Sequence, residues 1–187
     1  MNRFLSTYVI GIATSVALAA PVVAQEATAT RKDSKTDWSI FVEEPPAVDR
    51  KSCWLASAPT KVENTRNGRP AEVNRGEIVM FVTYLPGQVD GNGEPIDGQV
   101  SFASGYPFPE NGTAEVQIGS ARYTLQTIGE TAYSISREDD EKMRNSMKRG
   151  AEAIITSVSA RGTNTKDTFS LNGFTAAVEE IEKLCGA

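Results

Sequence analysis

Short runs of apolar and β-branched residues, separated by turn residues, dominate the chain after residue 36. These runs recur at intervals of roughly 8–12 residues, a spacing typical of antiparallel all-β domains. The predicted strands are 37–42, 52–58, 77–84, 99–103, 113–118, 121–127, 131–135, 152–160 and 165–171. The pattern therefore predicts a mainly β fold, an antiparallel sandwich of eight or nine strands.

Two neighbouring segments carry more specific expectations. Residues 77–84 are almost continuously apolar, which predicts a central strand buried on both faces. Residues 86–98 contain four glycines and two prolines, which predicts a loop. We therefore expect a buried strand that leads directly into a long irregular connection.

Helical periodicity is present twice, once in mid-chain and once at the end. Ser136 is a predicted N-cap, and Met143 and Met147, four residues apart, form the apolar contact of the helix that follows. In the last helix one stripe contains Phe174, Val178, Ile181 and Cys185. This spacing predicts that the final cysteine points inward.

The N-terminus has the pattern of a secretory signal peptide. Arg3 precedes an uncharged apolar run at 8–20, which is shorter than the ~20 residues that a membrane-spanning helix needs. Small residues before the junction predict cleavage between Ala24 and Gln25. We expect a signal peptide at 1–24, a flexible leader at 25–36, a single β-sandwich domain at 37–187, and no transmembrane segment after signal removal.

The two cysteines of the chain are Cys53 and Cys185. Exported proteins meet oxidising conditions, under which two cysteines in a compact domain are expected to be bonded. Such a bond would close a loop of more than about 100 residues and contribute roughly 2–5 kcal/mol to stability. The sequence therefore predicts a Cys53–Cys185 disulfide that ties the end of the domain to its beginning.

Composition narrows the classes of function. The formal net charge is −5, which is unlike the basic surface of a general nucleic-acid binder. The chain has no histidine, so Ser-His-Asp and Cys-His catalytic arrangements cannot form. We predict no catalytic residues, no cofactor, no metal site and no nucleic-acid partner.

Acidic clusters offer two further candidates. Oxygen-bearing residues alternate in the segment 90–97, as in a calcium loop, but Ser101 stands where an EF-hand has its last glutamate. The simpler interpretation is a solvated hairpin loop. The acidic groups at 139–141 and 179–182 are expected to be solvated helix faces rather than catalytic carboxylates.

Two groups of residues are candidate partner surfaces. The mid-chain helix carries Lys142, Arg144, Lys148 and Arg149, which could bind an anionic partner or simply complement the helix dipole. Tyr106 and Phe108 could form an exposed recognition patch. The alternative, which is more common for aromatic side chains, is that they are buried in the core.

Several motifs, in a fixed order, resemble the invasion-associated locus B family of bacterial exported proteins. They are Asp37-Trp38, Cys53-Trp54-Leu55-Ala56-Ser57-Ala58-Pro59, Val100-Ser101-Phe102, Ser104-Gly105-Tyr106-Pro107-Phe108, Met147-Lys148-Arg149-Gly150, Thr168-Phe169-Ser170-Leu171-Asn172-Gly173-Phe174-Thr175-Ala176-Ala177 and the terminal Cys185. The resemblance extends from about residue 37 to 185. It implies an immunoglobulin-like β-sandwich, a virulence role in the invasion of host cells, and no catalytic residues.

The expected function is that of a non-enzymatic exported binding protein of the bacterial envelope that supports host-cell association. The alternative is a structural or chaperone-like periplasmic protein that serves envelope integrity. The expected partner is a protein or glycan at the envelope or host surface. The expected location is the periplasm, the cell surface or the medium.

Overall fold

A computed structural model describes residues 30–45 and 49–186. The predicted signal peptide, its cleavage site between Ala24 and Gln25, and the start of the leader lie outside the described residues. The strands are β1 Arg31–Lys35, β2 Trp38–Glu43, β3 Ser52–Ser57, β4 Lys61–Arg66, β5 Arg69–Pro70, β6 Val79–Val89, β7 Pro95–Ala103, β8 Thr113–Ile118, β9 Ala121–Ile128, β10 Thr131–Ser134, β11 Glu152–Val158 and β12 Asn164–Ser170. The helices are α1 Arg137–Met147 and α2 Phe174–Cys185.

The strands form one antiparallel sheet that folds over on itself. Its strand order is β1-β2-β3-β6-β7-β10-β9-β8-β11-β12-β4-β5. Phe102 of β7 and Phe169 of β12 are five strands apart along this order, yet their ring centroids are 6.0 Å apart. The two halves of the sheet therefore face each other across one core. The predicted mainly β class with a mid-chain and a C-terminal helix is confirmed, and the arrangement is consistent with a β-sandwich.

Helix α2 packs on the inner side of the first strands. The rings of Trp38 and Phe174 are 4.8 Å apart, and the Trp38 indole donates a hydrogen bond to the Ser170 carbonyl. The predicted Cys53–Cys185 disulfide joins β3 to the end of this helix. The predicted inward stripe of α2 is confirmed, because its four members are all buried.

Helix α1 lies against β7 and begins as predicted. The Ser136 hydroxyl accepts a hydrogen bond from the Asp139 backbone N–H at 3.2 Å, and Met143 and Met147 are buried. In the described part of the chain, neither helix is long and apolar enough to cross a membrane.

Three strands were not predicted, and one of them corrects the expected leader. Residues 31–35 are not a flexible leader but a strand, β1, paired with β2 at the sheet edge. Its side chains are mostly exposed, so backbone hydrogen bonds rather than apolar periodicity hold it in place. Charged residues on an edge strand also discourage pairing with further chains. The other two strands, β4 and β5, lie between the predicted strands 52–58 and 77–84, where the sequence predicted no strand.

The expectations for 77–84 and 86–98 were also partly wrong. In β6 buried and partly exposed positions alternate, so one face only is fully buried. The glycine-rich segment mostly extends the β6–β7 hairpin, with Val89 paired to Pro95 and a turn between them. The Asp90 carboxylate holds this turn by accepting hydrogen bonds from the N–H groups of Asn92 and Glu94 at 2.8 and 2.9 Å. The prolines and glycines of this segment did not prevent strand formation, because they lie near the strand ends.

Candidate functional site

The aromatic candidates lie in the core, not on the surface. Tyr106 and Phe108 are only 8% and 7% exposed, and their rings contact each other edge to face at 5.3 Å. The prediction of an exposed aromatic recognition patch at these positions is therefore wrong. Backbone hydrogen bonds to residues 76, 129 and 160 hold the turn that carries them in this position.

The basic residues of α1 do not form one surface. Lys142 pairs with Glu138 at 2.7 Å, whereas Arg144 turns toward the body and donates to the Gly98 carbonyl. Lys148 and Arg149 at the end of the helix are exposed. The four predicted residues are thus divided among an ion pair, a structural contact and the surface.

A cleft of about 420 Å³ opens where three connections meet, near the end of the sandwich that holds the β11–β12 turn. One wall comes from the segment between β5 and β6, a second from the turn at 105–107, and the third from the β11–β12 turn. Of these residues only Tyr106 was a predicted site residue. The cleft is hereafter the arginine cleft, defined by Arg66, Arg75, Tyr106 and Arg161.

Arg75 forms the floor of the arginine cleft. Its guanidinium donates to both carboxylate oxygens of Asp167 at 2.7 Å and to the Ser104 carbonyl, and it lies 4.9 Å from the Tyr106 ring centroid. The side chains of Arg75 and Asp167 are 5% and 0% exposed. Burial raises the pKa of the Asp167 carboxyl, and the adjacent Arg75 opposes this rise. Arg75 therefore connects the two halves of the sheet, because Ser104 follows β7 and Asp167 lies in β12.

The phenol of Tyr106 ties the cleft to β11 and β12. Its oxygen lies 2.7 Å from both the Ser157 and the Thr165 hydroxyls, and all three side chains are buried. A buried hydroxyl without partners would be costly, so this cluster fixes the position of the ring.

Backbone contacts make the walls rigid. The Gly76 N–H donates to the Gly105 carbonyl at 2.8 Å, and a Cβ at residue 105 would come within 2.6 Å of the Gly76 oxygen. Only glycine permits this approach, which also uses a positive φ at Gly105. The Ala160 N–H donates to the Pro107 carbonyl at 2.9 Å and joins the turn at 105–107 to the β11–β12 turn.

The rim of the cleft carries the accessible charge. Arg66 is exposed and donates one hydrogen bond to the Thr163 hydroxyl at 2.7 Å. Arg161 is exposed in the β11–β12 turn, and Glu72 is exposed on the facing wall. The arrangement can therefore hold a small polar ligand between guanidinium groups above a preformed floor.

One acidic residue of α1 is not solvated as expected. Asp140 is 6% exposed and accepts a hydrogen bond from the Val100 N–H at 2.7 Å. Burial raises the pKa of its carboxyl from an ordinary value near 3.8 to about 6, against the opposing effects of this hydrogen bond and of Arg144. Asp140 joins α1 to β7 and lies apart from the arginine cleft. Within residues 30–45 and 49–186 there is no cluster of three or more side chains suited to holding a metal ion.

Tyr84 carries a buried polar group outside the arginine cleft. Its hydroxyl is buried and has no hydrogen-bond partner among the described residues, and burial raises the pKa of the phenol. It borders a cavity of about 390 Å³ between the β6–β7 hairpin and the end of α2.

Together these features define the class of protein: a two-layered, mainly β domain closed by one disulfide, with a preformed arginine-lined cleft at one end. A family model described as "Invasion associated locus B (IalB) protein" matches residues 113–182, from β8 into α2. Over these 70 of the 187 residues, the match agrees with the resemblance seen in the sequence and supports membership in the family. No curated protein and no solved structure matches the chain.

Sequence reasoning missed the Arg75–Asp167 pair, although part of the signal was present. In the run 165–169 alternate residues face inward, which places Asp167 between Thr165 and Phe169 on the buried side. A carboxylate at a core position requires a cationic or hydrogen-bonding partner. The pattern thus indicates that a partner exists, but nothing in the sequence identifies Arg75 as that partner.

Proposed function

We propose that this protein is a non-enzymatic, exported binding protein of the bacterial envelope that supports association with host cells. Binding takes place in the arginine cleft. Family membership supports the exported, invasion-associated part of this proposal. The binding role is supported by the structure of the cleft.

The observation that carries the proposal is that one arginine of the cleft is buried in an ion pair, whereas two others are exposed at its rim. Arg75 is fully engaged below the surface, whereas Arg66 and Arg161 stand exposed above it. A charged rim on a rigid, hydrogen-bonded floor is the arrangement expected of a preformed recognition site. Its loops are held by side-chain and backbone contacts, so little ordering is needed on binding.

The test compares a deletion strain with strains complemented by the wild-type chain or by the Arg66→Ala/Arg161→Ala variant. Host-cell attachment and invasion should fall on deletion, recover with the wild-type chain, and recover poorly with the variant. Unchanged attachment and invasion after deletion would contradict the proposal.

A structural or chaperone-like envelope role is the second candidate. It is favoured by Phe41 and Trp54, which stack at 5.5 Å and are only partly buried, on the face of β2 and β3 directed away from the core. Crosslinking in the native envelope separates the two functions. Host-surface ligands support the first, and other exported proteins captured at residues 41 and 54 support the second.

A further inference from the structure

The arginine cleft is positively charged on a protein whose net charge is −5. The charge of Arg75 is balanced by Asp167. The other charged residues that line the cleft are two cations, Arg66 and Arg161, and one acid, Glu72. Arg69, paired with Arg66 across the β4–β5 hairpin, adds further positive charge nearby. A concave site of this sign concentrates anionic ligands, whereas the acidic remainder of the surface repels them.

The exposed guanidinium groups retain hydrogen-bonding capacity. Arg66 uses one nitrogen to reach Thr163, whereas a guanidinium offers five N–H donors in a planar fork. This geometry matches the two oxygens of a carboxylate. The bond to Thr163 also restricts the side chain of Arg66, so less conformational entropy is lost when a ligand binds.

The size and surroundings of the cleft favour a small end group over a peptide. Its volume of about 420 Å³ is near the lower end of the ~300–1,000 Å³ typical of small-molecule sites. The neighbouring sheet edge is β5, which has two residues, one of them Pro70. Such an edge is a poor template for an added peptide strand, because proline donates no backbone hydrogen bond.

The remaining walls suit a ligand that carries hydroxyl groups as well as charge. Glu72 and Asn74 are exposed and can accept from or donate to hydroxyls, while Val73 and Pro107 offer small apolar surfaces. An anionic group, several hydroxyls and a partly apolar ring face are combined in an acidic sugar. We infer that the arginine cleft binds a carboxylated sugar residue of a glycan, with its carboxylate between Arg66 and Arg161. This inference rests on the proposed function and specifies its ligand.

The experiment is an NMR titration of the ¹⁵N-labelled full-length exported protein. The probes are the methyl glycosides of glucuronic acid and N-acetylneuraminic acid, with methyl galactoside, inorganic phosphate and a glutamate-rich peptide as comparisons. An acidic sugar should shift the amides of residues 159–163 and those of the facing wall. The neutral sugar should leave them unchanged, and phosphate and the peptide should bind more weakly.

Two double variants with the same change in charge locate the site. Arg66→Ala/Arg161→Ala should weaken acidic-sugar binding roughly ten-fold or more, as expected for the loss of charge-assisted hydrogen bonds. Lys148→Ala/Arg149→Ala, at the exposed end of α1, should change it less than about two-fold. Melting temperature reports folding, and Arg161→Ala alone provides the same test if the double variant is unstable.

Four results would overturn the inference: no binding of either acidic sugar, equal losses in both double variants, equal binding of the neutral sugar, or tighter binding of phosphate or the peptide. If acidic sugars fail to bind while the wild-type protein still attaches to host cells, the inference fails and the proposed function stands. If they bind but deletion does not affect attachment, the inference stands and the proposed function fails.

Discussion

At the scale of single residues, two buried carboxylates have opposite surroundings and different consequences. Asp167 faces a bidentate arginine, so its charge is compensated within the core. Asp140 receives one backbone N–H, with Arg144 near enough only to lessen the effect of burial. Burial raises the pKa of both carboxyls, so both make stability depend on pH, and Asp167 also contributes to stability as part of a buried ion pair.

Replacing Asp140 by asparagine should remove a pH dependence. The raised pKa means that the folded state binds this proton more tightly than the unfolded state between about pH 4 and pH 6. The free energy of unfolding should therefore fall as pH rises through this window, by roughly 2–3 kcal/mol at ~1.4 kcal/mol per pKa unit. Asparagine does not titrate and can still accept from Val100.

Urea denaturation at a series of pH values measures this effect. Asp140→Asn and wild type should have similar stability near pH 4, and the variant should be the more stable at pH 7. Subtracting the two curves removes the contribution of other acids such as Asp167. Parallel curves across the whole range would show that Asp140 is not responsible.

Replacing Arg75 by methionine should destabilise the fold by about 3–5 kcal/mol, because the Asp167 charge would remain buried without a partner. The matched control is Arg122→Met, which removes an exposed partner of Glu115 and should cost no more than ~1 kcal/mol. Adding Asp167→Leu to Arg75→Met should restore part of the loss. Equal effects of the two single variants in thermal and urea denaturation would contradict a stabilising buried pair.

At the scale of elements, the sequence identified those with strong periodicity or caps. Helix α1 begins after Ser136 and α2 presents its predicted stripe because local signals and tertiary packing agree. The β4–β5 hairpin had a usable signal, since Asn67 and Gly68 form its turn with φ values of 52° and 73°. Strand β1 had none, because an exposed edge strand is determined by the neighbour to which it bonds.

The disulfide between β3 and α2 gives the prediction at this scale. The two cysteines are separated by 132 positions, so reduction should cost roughly 2–5 kcal/mol by releasing a long closed loop in the unfolded state. The melting temperature should fall by several degrees. In Cys53→Ala/Cys185→Ala, which has no disulfide, reductant should have no effect. An unchanged melt of the wild type, with both thiols shown to be labelled, would exclude this role.

At the scale of the whole molecule, the arginine cleft exists only because distant segments meet. Arg66, Arg75, Tyr106 and Arg161 come from four separate connections or strand ends. Neither spacing nor periodicity relates them, so the sequence could not predict their proximity. The folded sheet brings them together, and its buried ion pair and backbone contacts fix the geometry that we propose for recognition.

Binding of the purified protein to intact host cells, measured by flow cytometry, tests the role of the cleft most directly. Wild type and Lys148→Ala/Arg149→Ala should bind saturably with similar affinity. Arg66→Ala/Arg161→Ala, which has the same net charge as that control, should bind roughly ten-fold more weakly or not at all. Equal binding by all three proteins, each shown to be folded, would contradict recognition through the arginine cleft.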